Sequence, residues 1–61
     1  MYEAFERLLN ERKLTPYRVA QETGISQSTL SDWKLGKTQP KVDKLKTLAE
    51  YFDIPVSTFI E

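Results

Sequence analysis

Residues 16–35, PYRVAQETGISQSTLSDWKL, decide the fold, because a single glycine separates two short helical patterns within them. The first pattern begins at Thr15-Pro16. A threonine hydroxyl can cap a free amide, and proline lacks the amide that would be unpaired at the first helical position. Gly24 ends this helix, since glycine readily takes the left-handed conformation of a tight helix exit. Because the linker is so short, the two helices must cross steeply, which predicts a helix-turn-helix.

The second helix of the motif is predicted over residues 27–35, with Ser26 as its N-cap and Gly36 at its exit. Leu30 and Trp33 are three residues apart and therefore share one side of the helix, which we expect to be buried. The opposite side is polar and is expected to be exposed whether or not it binds anything. Four residues occupy it: Gln27, Ser28, Ser31 and Asp32.

Helical spacing of apolar residues continues outside the motif, and no β-type alternation is sustained. A first helix is predicted over about residues 2–12, with Phe5 and Leu9 on its apolar side. A fourth is predicted over roughly residues 42–52, poorly capped because Lys41 cannot accept a bond from a free amide. A short fifth helix follows Pro55. The pattern predicts an all-α, five-helix orthogonal bundle forming a single domain over residues 1–61.

The composition argues against several classes of function. The chain has no cysteine and no histidine, so it lacks thiolate metal ligands, disulfides and the commonest general base. It has no glycine-rich phosphate loop, and Glu3, Glu6 and Glu11 are typical solvated helix acids. We therefore expect no enzyme, metal, cofactor or small-molecule ligand. Without an apolar run of membrane-spanning length or a signal-peptide stretch, we expect no membrane partner and a cytoplasmic location.

Charge is distributed unevenly although nine basic and nine acidic residues cancel. Residues 12–46 contain eight basic and three acidic side chains, a net +5, whereas residues 1–11 sum to −2 and residues 47–61 to −3. A basic central segment favours a polyanionic partner. A mixed solvated surface is the alternative, and charge alone does not exclude it.

Two longer stretches resemble one family. The run TPYRVAQETGISQSTLSDWKLGKTQP, residues 15–40, is similar to the helix-turn-helix of the Cro/repressor family, also called XRE-like, of phage repressors and bacterial regulators. Ala20, Gly24, Leu30 and Trp33 match its small, turn and core positions. LKTLAEYFDIPVSTFI, residues 45–60, resembles its fourth and fifth helices. The resemblance implies a lambda-repressor-like domain that binds double-stranded DNA specifically and regulates transcription, which we expect to be repression.

The same resemblance implies which residues would contact DNA. In this family the second motif helix lies in the major groove, so the base contacts are expected from Gln27, Ser28, Ser31 and Asp32. Gln27 could pair with adenine, and Asp32 could accept from cytosine or exclude wrong sites. Backbone contacts are expected from Thr15, Arg18, Thr29, Lys34, Lys37 and Thr38, with Lys41 as a further candidate. For any single lysine, a solvated surface position is an equal alternative.

The chain departs from the family pattern at two places. A frequent arginine–glutamate pair is replaced by Leu9 and Lys34, and a frequent asparagine before the exit glycine by Leu35. Leu35 could pack or touch a thymine methyl group.

The resemblance also implies a homodimer on DNA, for which Val56, Phe59 and Ile60 are candidate contacts. The alternative is that they close the domain's own core, which we expect of at least half of them. A different function for the same fold is a protein-interaction module, such as an antitoxin-like partner-binding domain.

Overall fold

The computed structural model describes residues 2–60, which form five α-helices and no strand. The helices are α1 (Tyr2–Arg12), α2 (Pro16–Thr23), α3 (Gln27–Lys34), α4 (Val42–Phe52) and α5 (Ser57–Ile60). The prediction of an all-α fold with five helices is confirmed. Met1 and Glu61 belong to the predicted domain range 1–61 but lie outside the described residues. No helix within residues 2–60 has both the length and the apolar character needed to cross a membrane.

The ends of α2 and α3 are fixed by the caps that the sequence predicts. The Arg18 amide donates to Thr15 Oγ1 at 3.1 Å, and the Thr29 amide donates to Ser26 Oγ at 3.1 Å. Gly24 closes α2 in the left-handed conformation, with a φ of 80°. The predicted end of α3 is one residue too late, because Leu35 is its right-handed C-cap and the left-handed residue is Gly36.

The start of α4 lacks a side-chain cap from Lys41, as predicted. Instead, the carboxylate of Asp43 accepts a hydrogen bond from the Lys44 amide at 2.9 Å, which satisfies one of the free amides of the first turn. An acidic side chain in the first turn also interacts favourably with the helix dipole. Asp43 therefore supplies the local stabilisation that the N-cap position does not.

Aromatic rings from four helices form the centre of the core. Trp33 of α3 lies 5.5 Å from Phe5 of α1 and 6.0 Å from Phe59 of α5, measured between ring centroids. Phe5 in turn lies 5.9 Å from Phe52 of α4. The inner side of α3 is therefore held by α1 and α5. Leu9, which replaces the family's arginine, is also buried in this core.

Phe59 requires a correction to the predicted dimer surface. Its side chain is 0% exposed and is part of the hydrophobic core, so it cannot contact a second copy of this fold. Val56 is half-buried and packs against the same core, whereas Ile60 is 52% exposed. The core alternative is thus correct for Phe59. In a four-residue helix the apolar pattern is too short to decide which side faces inward.

The turn of the helix-turn-helix is stabilised by Thr23, the last residue of α2. Its hydroxyl donates to the Val19 carbonyl at 2.7 Å and accepts from the Ile25 amide at 3.3 Å. Ile25 itself is buried, and so is the small Ala20 on α2. These contacts fix the direction of α3 relative to α2. In addition, α2 packs against α4.

Two helices end at a non-glycine residue in the left-handed region. Lys13 has a φ of 56° after α1, and Asp53 has a φ of 59° after α4. In both cases the next amide bonds back into the helix, Leu14 to the Leu9 carbonyl at 2.9 Å and Ile54 to the Ala49 carbonyl at 3.0 Å. This is the Schellman arrangement, in which a side chain is disfavoured at the left-handed residue.

Glycine at position 13 should therefore stabilise the fold relative to alanine. Both Lys13→Gly and Lys13→Ala remove the charge, so their difference isolates the backbone conformation, and we expect the glycine variant to be more stable by about 1 kcal/mol. Urea unfolding of the two variants measures this difference. The same pair at Lys46, inside α4, should show the opposite order by about 1 kcal/mol. An alanine variant equal to glycine at position 13 would contradict the left-handed exit.

Candidate nucleic-acid interface

The outward side of α3 presents the polar residues expected to read bases. Gln27, Ser28 and Ser31 are exposed, and Asp32 is half-buried. Leu30 and Trp33 are buried behind them, at 2% and 5% exposure, as predicted. Because the buried residues fix the rotation of the helix about its axis, the direction of the outward side is also fixed.

An open groove separates the start of α2 from α3, and we call it the α2–α3 groove. It has a volume of about 300 Å³. Gln27, Ser31 and Lys34 line it at successive turns of α3, and Thr15 and Tyr17 line its opposite wall. The structure thus brings two predicted base contacts together with two predicted backbone contacts. Ser28 and Asp32 lie outside this groove.

A second open cavity, the exit groove, follows the end of α3 and has a volume of about 430 Å³. It brings together three predicted backbone contacts, Lys34, Lys37 and Thr38. The Lys37 amide donates to the Asp32 carbonyl at 2.9 Å, which ties the start of this loop to the last turn of α3. The position of Lys37 is therefore coupled to the helix that would read bases.

A third cavity, the α4 groove, lies beside the start of α4 and contains two further lysines. It is lined by Thr29 of α3, by Thr38, and by Lys41 and Lys44. Thr29 is half-buried, and its hydroxyl shares a 2.9 Å hydrogen bond with that of Ser26. Lys44 was not among the predicted contacts, and only the high basic content of residues 12–46 pointed to it.

Arg18, a predicted backbone contact, takes part in an ion-pair network on the surface. Its Nε donates to the carboxylate of Glu22 one turn later, and the same carboxylate accepts from the Tyr51 hydroxyl of α4. The hydrogen bonds from Tyr51 and Arg18 lower the pKa of Glu22. The bond to Glu22 in turn raises the pKa of Tyr51 and of Arg18. The network therefore links α2 to α4 and neutralises the arginine charge.

Comparison with known protein families identifies one family that matches this chain. A family model described as helix-turn-helix matches residues 5–59. The chain belongs to the XRE-type helix-turn-helix family. It is 24% identical over 58 residues to the HTH-type transcriptional activator BcrR of Enterococcus faecalis, a match that includes 95% of this chain. The chain spans 28% of the length of that relative. No solved structure is significantly similar.

Membership in this helix-turn-helix family supports DNA-binding transcription regulation as the general role of the domain. Within the matched residues, α2 and α3 are the two helices that the short turn at Gly24 joins. Leu35, where the family often has asparagine, is 67% exposed. The alternative that Leu35 packs into the domain is therefore wrong, and the side chain remains available at the end of α3.

Tyr17, like Lys44, lines one of these grooves without being among the predicted contacts. It is 55% exposed and lies in the α2–α3 groove. One signal could have indicated this. Tyr17 lies two residues before the buried Val19, which places it on nearly the opposite side of α2.

Glu22→Gln should show how the network contributes to stability. Because the folded protein lowers the pKa of Glu22, its ionised form stabilises the fold at neutral pH, and this contribution is lost as the pH falls through the folded pKa. We expect Glu22→Gln to have a lower Tm than the wild type at pH 7, and the difference between the two Tm values to be smaller at about pH 2.5, where carboxylates with ordinary pKa values are protonated. Thermal unfolding followed by circular dichroism measures both.

In a Tyr51→Phe background, Glu22→Gln should lower the Tm at pH 7 by less than it does in the wild type. Tyr51→Phe removes no charge and deletes only the hydroxyl that donates to Glu22. A Glu22→Gln deficit of equal size at both pH values would show that the charge of the carboxylate is not what stabilises the network.

Proposed function

We propose that this domain is a sequence-specific DNA-binding transcriptional regulator that inserts α3 into the major groove. The observation that supports this best is the combination of an exposed polar side of α3 with a buried apolar side fixed by Leu30 and Trp33. Such a helix has a defined orientation and can therefore present side chains to base edges reproducibly. Grooves with cationic residues adjoin it, as contact with the phosphate backbone requires.

We propose repression as the regulatory role. Repression requires only that the domain occupy its site, whereas activation needs a further contact with the transcription machinery. BcrR is named an activator, and DNA binding through α3 is common to both roles. The two roles therefore differ outside the DNA-reading surface.

Gln27, Ser28, Ser31 and Asp32 are the proposed base contacts. Gln27 has a long amide side chain at the first position of α3, and Gln can make two hydrogen bonds to adenine. Asp32 is half-buried one turn behind Ser28, so it reaches less far and can accept from cytosine or exclude other bases. Leu35 extends this set with an apolar group suited to a thymine methyl.

The proposed backbone contacts flank α3 in two groups. Lys34, Lys37 and Thr38 share the exit groove, and Thr29 lies beside Lys41 and Lys44 in the α4 groove. On the other flank are the two remaining candidates, Thr15 and Arg18. Arg18 would have to share its guanidinium between phosphate and Glu22, so we expect its contribution to be the smaller.

We further propose that two copies bind DNA together, because one eight-residue helix reads only a few base pairs. Ile60 is the most exposed of the three predicted dimer residues and is adjacent to the core residue Phe59. Val56 can contribute only its exposed part. Sites selected from a random pool of DNA duplexes should then consist of two inverted half-sites, about one helical turn apart or a multiple of it.

A protein-interaction module on the same fold is the second candidate, and the zero net charge is the observation that favours it. Salt dependence separates the two functions. DNA binding that neutralises phosphates weakens steeply as salt increases, and a largely neutral protein interface does not require this.

Gln27→Ala should weaken binding to the selected site by about 1–3 kcal/mol and leave binding to a scrambled duplex nearly unchanged, because it removes only a base contact. Fluorescence anisotropy with both duplexes measures this. Asn10→Ala, which removes an exposed amide from α1, is the matched control and should change neither affinity. Equal loss on both duplexes would contradict the base contact.

Lys37→Ala should weaken binding to both duplexes alike and reduce the slope of log K against log salt by about one unit, because one phosphate contact is lost. Lys46→Ala removes the same charge from an exposed position of α4 outside the three grooves and should leave the slope unchanged. If the wild type binds duplex DNA without a steep slope, the DNA-binding proposal itself fails. If the wild type shows a steep slope and Lys37→Ala has the same slope, only the proposed contact of Lys37 with phosphate is wrong.

A further inference from the structure

The α2–α3 groove contains a hydrogen-bond donor that belongs to neither set of contacts above. We propose that the hydroxyl of Tyr17 donates a hydrogen bond to a phosphate oxygen of the DNA backbone beside α3. This inference rests on the proposed DNA binding and adds a neutral anchoring contact beside the candidates Thr15 and Arg18.

The first support is the position of the ring. Tyr17 is 55% exposed, although tyrosine usually buries most of its ring, and it lies across the groove from Gln27, Ser31 and Lys34. When α3 occupies the major groove, the preceding helix of the motif crosses the sugar-phosphate backbone. A side chain on the α2 wall of this groove therefore meets phosphate, while those on the α3 wall meet base edges.

The second support is the direction of the hydroxyl hydrogen. Gln21, one turn after Tyr17, donates from its Nε2 to the Tyr17 hydroxyl oxygen at 2.9 Å. Because this bond uses the oxygen as an acceptor, the tyrosine's own hydrogen is left to be donated elsewhere. A phosphate oxygen only accepts hydrogen bonds, and it is the most frequent acceptor in protein–DNA interfaces. Gln21 is thus a positioning residue that presents Tyr17 as a donor.

The third support is the reduced set of donors at the start of α2. Pro16 has no backbone amide. The Arg18 Nε donates to Glu22, which ties part of the guanidinium to the ion pair. The Tyr17 hydrogen is not used by the bond from Gln21, so it can help to hold this end of the motif to the backbone.

Tyr17→Phe removes the hydroxyl and keeps the ring. We expect it to weaken binding roughly tenfold on the selected and the scrambled duplex alike, which is the effect of one hydrogen bond to a charged group. The slope of log K against log salt should remain that of the wild type, because no cation is removed. Thr47→Val, which removes a hydroxyl that donates to the Asp43 carbonyl within α4 and lies outside the three grooves, should retain wild-type affinity.

Gln21→Leu tests the positioning role in a double-mutant cycle. We expect it to weaken binding by a smaller factor, again on both duplexes, and to have no further effect in a Tyr17→Phe background. Circular dichroism confirms that each variant is folded before its affinity is measured.

Wild-type affinity for Tyr17→Phe would overturn the proposal, and so would a loss confined to the selected duplex, since that would make Tyr17 a base contact. An equal loss from Gln21→Leu in both backgrounds would overturn the positioning role. These outcomes presuppose that the wild type binds DNA with a steep salt slope. If it does not, the proposed function has failed before Tyr17 is tested.

Discussion

The burial of Trp33 is the interaction on which the rest of this structure depends. An isolated helix of eight residues is unstable in water, so α3 is formed because its inner side is packed and not because of its intrinsic propensity. The indole lies within 6.0 Å of the rings of Tyr2, Phe5 and Phe59, so α1 and α5 both hold it. Its buried Nε1 has no hydrogen-bond partner within residues 2–60. Removing about 200 Å² of ring from water stabilises by about 5 kcal/mol, more than the roughly 1–3 kcal/mol that an unpaired buried donor costs.

This anchoring explains why so much of the candidate site could be predicted from sequence. Leu30 and Trp33 fix one side of α3, and the outward side then follows from helical geometry alone. Both ends of α2 and the start of α3 were equally predictable, because Thr15, Gly24 and Ser26 act through bonds to residues within about one turn. Helix caps depend on residues that are close together in the sequence, so they can be predicted without knowledge of the tertiary structure.

The features that could not be predicted depend on contacts between distant residues or on backbone conformations that the residue types present do not favour. Glu22 and Tyr51 are 29 positions apart, and only the packing of α2 against α4 brings them together. Phe59 points inward and Ile60 outward in a helix of four residues, which is too short for a periodic pattern. Lys13 and Asp53 adopt the left-handed conformation without being glycine, because the packing of the following Leu14 and Ile54 requires the chain to turn there.

The uneven charge reconciles a neutral chain with a polyanionic partner. At physiological salt the Debye length is about 8 Å, so acidic residues farther than that from a phosphate are largely screened from it. Lys34 and Lys37 line the exit groove with Glu3, and Lys41 and Lys44 line the α4 groove with Asp43, so basic side chains outnumber acidic ones in both grooves. Arg18 at the other end is neutralised by Glu22. In the proposed complex, attraction to DNA is thus concentrated on the exit side of α3. The α2 side is then held by neutral hydrogen bonds, which fix the position of α3 on the DNA without increasing the affinity for every polyanion.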